Sequence, residues 1–193
     1  MRVVVEGPSD LQAAVKTCTA AGHAVTSARS AGGKSKLDPK IANYAQAARN
    51  EPWVIFRDSD RECPVALRKR LMQGIPYNPL FALRIAHTMT EAWLMADRMD
   101  FAKYFHVSND LVPLAPDSED HAKHTFLTLC LKSHSRDIRE EVARDEAHAG
   151  PLFVEHLNEF ARLHWNVDRA AENSPSLQRA LVTLRSLPKG PSS

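Results

Sequence analysis

The sequence predicts an α/β fold, a mainly parallel four-stranded sheet flanked by helices with a C-terminal helical extension, on three observations. Short apolar runs alternate with stretches of helical spacing through the first half of the chain, the pattern of right-handed strand-helix-strand crossovers. The most apolar of these runs, Trp53-Val54-Ile55-Phe56, leads abruptly into Asp58-Ser59-Asp60. In the second half no comparable strand occurs, and helical stretches are separated by Pro113, Pro116, Gly150 and Pro175. The expected units are an α/β domain over 1–100, a helical extension over 101–187 packed on it, and a flexible tail over 188–193.

Val3-Val4-Val5 is β-branched and stops at Glu6-Gly7-Pro8-Ser9-Asp10, after which Leu11, Ala14, Val15 and Cys18 recur at helical spacing. Ser9 or Asp10 can cap that helix, and Gly22 sits where it should stop. Residues 23–28 read as a second, weaker strand. Residues 30–36 read as a flexible basic loop, and Asp38-Pro39 as the start of a helix reaching about Asn50. After the central strand over 53–56, Cys63-Pro64 with Val65, Leu67 and Leu71 predicts a helix ending near Gly74. Residues 80–85 read as the fourth strand and 90–97 as a helix begun by Thr90. Further helices are expected over 101–105, 119–132, 137–148, 152–164 and 177–187.

With 193 residues, 44% of them hydrophobic, the chain is long enough for one good core. The formal charge of +2 announces no polyanion partner by itself, so any such partner must be held by a local patch. Three cysteines without C-x-x-C spacing argue against a disulfide framework and predict a reducing, cytoplasmic setting. Early charges at the N-terminus and the lack of an 18-residue apolar window predict neither export nor membrane insertion.

In an open parallel sheet, functional groups gather at the carboxyl ends of the strands. Glu6 ends the first expected strand, Asp58 and Asp60 the third, and Glu91 follows the fourth. Asp58 and Asp60, two extended residues apart, are expected on one side of the chain. If the first and third strands are neighbours, about 4.8 Å apart, these carboxylates repel unless a cation or a proton neutralises them. Oxygen-only ligation suits Mg²⁺ or Mn²⁺ rather than zinc. Asp-Ser-Asp is equally the chemistry of a polar turn capping the next helix, and that reading stays open.

Val3-Val4-Val5-Glu6-Gly7-Pro8-Ser9-Asp10 and Val54-Ile55-Phe56-Arg57-Asp58-Ser59-Asp60 resemble the two signature motifs of the Toprim fold, a Rossmann-like architecture shared by topoisomerases, primases and OLD-type nucleases. Residues 80–98, Gly32-Gly33-Lys34-Ser35-Lys36-Leu37 and Asn173-Ser174-Pro175-Ser176-Leu177 resemble small stand-alone Toprim-like proteins, often encoded beside ATPases in bacterial defence islands. The motif pair covers the first half of the chain and the weaker likeness most of it. The resemblance implies Glu6 as general acid or base and metal-site member, with Asp58 and Asp60 holding Mg²⁺. Glu91 is then the later acidic group of OLD-like members, and Asp10 a further helper. Lys123 sits where those nucleases often carry a downstream lysine, in a local sequence that matches poorly.

Arg57 and Arg61 flank the acidic pair, where cations either hold a scissile phosphate or pair with the acids themselves. Residues 28–35 nearly match G-x-x-x-x-G-K-[ST], but Ala28 replaces the first glycine and Asp38-Pro39 delays the helix. Lys34 and Lys36 are then solvated or contact nucleic-acid phosphate. His121, His124, Cys130 and His134 lack the paired spacing of a structural zinc site. Ser9 with His23 or His87 lacks a nucleophile elbow. The expected function is a Mg²⁺-dependent phosphodiester hydrolase acting on DNA or RNA, and by the resemblance the effector of a defence or toxin system with a partner ATPase. The alternatives are a catalytically silent Toprim-fold binding or regulatory module and a P-loop ATPase.

Overall fold

In the computed structural model, which describes residues 1–189, strands β1 (Arg2–Val5), β2 (Ser27–Ser30), β3 (Trp53–Asp58) and β4 (Phe81–Ala86) form one all-parallel sheet in the order β2-β1-β3-β4. Alternation along the strands sends Val3, Val5, Val54, Phe56, Ala82 and Ala86 into a large core on one face. Val4, Trp53, Ile55, Leu83 and Ile85 enter a smaller core on the other. The smaller core is closed by α2 (Lys34–Leu37), α3 (Ile41–Ala47) and α4 (Pro64–Leu71), through Leu37, Ile41, Tyr44 and Leu67.

On the other face lie α1 (Leu11–Ala20), α5 (Thr90–Ala96), α6 (Arg98–Tyr104), α7 (Ala122–Leu131), α8 (Arg136–Glu141), α9 (Phe153–Leu163), α10 (Val167–Asn173) and α11 (Pro175–Ser186). Phe101, Phe126, Phe160, Trp165 and Leu177 share one buried cluster with Val5 and Phe56, so the later helices complete the core of the sheet. Every residue of α5 is buried. The Trp93 indole N–H donates to Ser176 Oγ at 2.6 Å, and the Trp165 indole N–H to the Trp93 carbonyl at 3.2 Å. Past its C-terminal end, the fully buried Asp97 accepts from the Asn166 N–H at 2.8 Å and from Arg169 Nε at 2.6 Å.

Four stretches differ from the sequence expectation. The second strand lies at Ser27–Ser30, because His23 is drawn inside with its Nε2 2.7 Å from the Leu184 carbonyl, and Thr26 N–H bonds back to Met1. The basic loop is shorter than expected: Gly33, at φ 105°, turns the chain, and α2 starts at Lys34, pinned by the buried Leu37. The helix expected over 137–148 stops at Glu141, where Gly150 N–H bonds the Val142 carbonyl and Ala143 pairs with Ala149. A Cβ on Gly150 would collide with the Glu141 carbonyl, so only glycine permits that return. Helix α10 was not anticipated; Val167 and Ala170 are its only buried residues, and Asn166 caps it by accepting from Arg169 N–H at 3.1 Å. Of the expected tail, residues 190–193 lie outside the described residues. Among the described residues no helix is long and apolar enough to cross a membrane.

Arg169→Ala strands the Asp97 carboxylate in the core. Because Arg169 is itself 33% exposed, the expected loss is about 2 kcal/mol rather than the larger penalty of a fully buried pair. A thermal melt checks it, and an unchanged melting temperature would show that the end of α5 is held by other contacts.

Candidate functional site

β1 and β3 pair in parallel with Val5 opposite Phe56, so Glu6 and Asp58 leave adjacent strand ends. Asp58 Oδ1 accepts both the backbone N–H and the hydroxyl of Thr90, each at 3.1 Å. It therefore does cap a helix, but the one after the fourth strand; α4, the next in sequence, has no side-chain cap. The turn after β1 folds Asp10 inward, with Gly7 N–H donating to Oδ2 at 2.8 Å and the Ser9 hydroxyl to Oδ1 at 3.2 Å. A Cβ on Gly7 would stand 3.1 Å from that Oδ2, which is why glycine suits the turn. Glu91 sits in the first turn of α5, buried.

Burial is the largest cause raising all four of these carboxyls, and repulsion from neighbouring carboxylates adds to it at Glu6, Asp58 and Glu91. Glu91 is pushed up to about 7 by burial, then by the charges of Asp10 and Glu6. Asp58 is raised well above its ordinary value by burial and by Asp10, Glu91 and Glu6, against the Thr90 hydrogen bond. Burial also raises Asp10, and raises Glu6 against the opposing charge of Arg57. Lys123, near the start of α7, opposes the crowding by lowering Asp10 and Glu91, and its Nζ lies 4.7 Å from the centre of the Phe153 ring.

Asp60 is held by other partners. Its backbone leaves the extended region at φ 52°, so the same-side placement expected for Asp-Ser-Asp does not hold. Its Oδ2 accepts from Lys34 Nζ at 2.9 Å and lies 3.4 Å from Arg57 Nη1. Arg57 is 2% exposed and is an internal counter-ion, with Nε 3.0 Å from Asp38 and Nη1 3.0 Å from Glu6 and bonded to the Asp58 carbonyl. Of its two expected roles, ion-pairing is the one this geometry serves. Glu6 Oε2 stands beside that guanidinium yet, buried, accepts no aligned hydrogen bond among the described residues. Lys36 and Arg61 stay exposed, Arg61 near His87 and Thr88 on one side and Lys123 on the other.

The remaining sequence candidates do not assemble. His121 accepts from His124 N–H as a cap, His124 Nδ1 lies 2.8 Å from the Glu146 carbonyl, and Cys130 is buried. His87 Nδ1 lies 2.9 Å from Ser59 Oγ rather than near Ser9, and Ser59 is fully buried. Among the described residues no group of three or more His, Cys, Asp or Glu is placed as a ready metal-ion site. The chemistry of the carboxylate set nonetheless fits a hard dication: oxygen donors only, crowded against their own repulsion, one with an oxygen lacking a hydrogen bond. Thr90 as the partner of Asp58 was invisible in sequence, and the only signal for Lys123 as the opposing charge was the family resemblance.

Linkage sets the sign of the pH dependence. Glu91 holds its proton more tightly when folded, so its contribution is full below about pH 4.5 and is lost as pH rises through about 7. In EDTA the stability should fall across that window by on the order of 3 kcal/mol at most, and the melting temperature with it, while Glu91→Gln should flatten the fall and melt higher at pH 8. Identical pH profiles for the two proteins would refute a buried, proton-holding Glu91.

No family model, curated protein or solved structure matches this chain.

Proposed function

We propose that the chain is a metal-dependent phosphodiester hydrolase of the Toprim-like kind acting on nucleic acid, with Glu6, Asp10, Asp58 and Glu91 holding Mg²⁺ or Mn²⁺. The observation that supports it is the gathering of Asp10 and Glu91 with Glu6 and Asp58, which leave the ends of neighbouring parallel strands; burial raises all four, and neighbouring carboxylates raise Glu6, Asp58 and Glu91 further. A bound dication would supply a polarised phosphate and a more acidic water. The chain's own groups do the rest. Thr90 fixes Asp58 through two hydrogen bonds, and Arg57 holds Glu6 in place. Glu6, whose pKa burial raises, takes or returns the proton. Lys123 offsets charge developing on the phosphate, and the exposed Arg61 meets the incoming strand. Asp60 acts one step out, by holding Lys34 and Arg57. A reducing cytoplasm suits the three free cysteines. Control by a partner ATPase belongs to the proposal on the resemblance alone.

One observation favours the silent-module reading: Glu6 and Asp60 are already neutralised internally by Arg57 and Lys34. The nucleotide-loop reading has no such support, since Lys34 is committed to Asp60 and α2 is only four residues long.

The test is cleavage of single- and double-stranded DNA and RNA with Mg²⁺ or Mn²⁺. Asp58→Asn keeps an oxygen acceptor for Thr90, so it should melt as the wild type while losing roughly 100-fold or more in turnover. Glu6→Gln should behave alike, and Asp60→Asn more mildly, by roughly tenfold. Normal turnover in Asp58→Asn ends the assignment of the reaction to this site, and absence of cleavage in every arm ends the nuclease reading; substrate binding without turnover in any arm favours the silent module.

A further inference from the structure

β4 is a free edge of the sheet, and beside it, between α4 and α11, lies a cavity of about 790 Å³. Arg68 and Lys69 line it from α4, Arg84 from β4 and Arg179 from α11, and no acidic residue lines it. Among the described residues none of these four cations forms a salt bridge. Arg70, on the same helix but facing away from the cavity lining, is paired with Glu62 at 2.6 Å.

Arg84 is the informative residue. It is half-buried, and its Nε is shut off from solvent without a hydrogen-bond partner. Burial, with the charges of Arg68 and Arg179, pulls its pKa down to about 10. A cation so placed is disfavoured by desolvation and like charge until an anion joins it. In a chain of net charge +2, four cations around one space without a counter-ion are a local construction. Beside the cations the wall carries apolar side chains, Val65, 76% exposed, with Met72 and Ile85.

Guanidinium forks match phosphate oxygens, and an apolar wall beside them matches a base. The location matches too. Arg84 lies opposite Phe56, and two residues on Ala86 lies opposite Asp58, so Arg84 and Asp58 project from the same face of adjacent strands. His87 lines the cavity while bonding to Ser59, the neighbour of Asp58.

We propose that this cavity is a subsite for single-stranded nucleic acid, with Arg68, Arg84 and Arg179 on the phosphates and Val65, Met72 and Ile85 against a base. Its link to the carboxylate cluster rests on the nuclease reading, but binding is measured independently of turnover. A fluorescein-labelled oligothymidylate is titrated by anisotropy in EDTA across a range of salt, with wild type, Arg84→Gln and the double variant Arg68→Gln/Arg179→Gln. The expected result is about tenfold weaker binding for Arg84→Gln and more for the double variant. The salt slope should drop by about 0.7 per cation removed. Arg84→Gln should melt no lower than wild type, because it removes an unpaired charge; a lower melt with unchanged affinity would make Arg84 merely structural. No binding by the wild type, or affinity and slope independent of the arginines, overturns the subsite. Competition by thymidine monophosphate as strong as by the oligonucleotide would assign the cavity to a free nucleotide and overturn the strand. Binding that depends on the arginines without cleavage sinks the nuclease reading alone, and cleavage with arginine-independent binding sinks the subsite alone.

Discussion

A helix with no exposed residue must satisfy both its ends inside the protein, and α5 is that helix. Its first N–H is met by Asp58 from the end of β3, which ties the helix to the sheet. Just past its other end, Asp97 draws in Asn166 and Arg169, and Asn173 Nδ2 donates to the Ala96 carbonyl, which ties it to the C-terminal helices. Sheet and later helices are thus joined through one buried element. The same burial leaves Glu91 only 4% exposed, so its neighbours and its raised pKa are consequences of the fold.

The two faces of β3 then separate two electrostatic solutions. On the side of Arg57, carboxylates from Glu6, Asp38 and Asp60 converge on one buried guanidinium, whose several donors suit shared pairing. On the side of Asp58, acids meet acids, and Lys123 is the cation that opposes their repulsion. Glu6 belongs to both: its charge acts on Asp58 and Glu91 while its carboxylate contacts Arg57. A site with charge already balanced has little to gain from a cation; the unbalanced side is where one would bind.

The central features were legible because they are short-range consequences of pattern. Trp53 to Phe56 is apolar on both faces and so reads as a buried strand, and strict alternation makes the strands parallel. Adjacency of Glu6 and Asp58 was conditional on the first and third strands being neighbours, which the order β2-β1-β3-β4 meets. What failed depends on single backbone angles or distant partners. Positive φ at Asp60 breaks the expected alternation, and positive φ at Gly33 starts a helix early. Ser27 to Ser30, polar at three of its four positions, gives an edge strand almost no apolar signal. Pairing of Arg57 with Asp38, and of Asp58 with Thr90, joins residues far apart in sequence that no periodicity connects. Helix α10 buries too few residues to show a stripe.

Net charge conceals the most specific feature of the surface. The chain totals only +2, yet Glu6, Asp10, Asp58 and Glu91 gather near the carboxyl ends of β1 and β3, and a group of unpaired cations beside β4. Fields from such groups are screened over roughly 8 Å at physiological salt, so the sum over the molecule matters less than the partition along one edge. Distances across a sheet are short on that scale: neighbouring strands lie about 4.8 Å apart and alternate residues about 7 Å along each. A polyanion lying along this edge would meet arginines first and carboxylates next, and the carboxylates would repel it unless a cation stood between. Under the proposed function, an arrangement that attracts a nucleic-acid strand would thereby make its productive approach conditional on metal, which is the order of events a metal-dependent phosphodiester hydrolase requires.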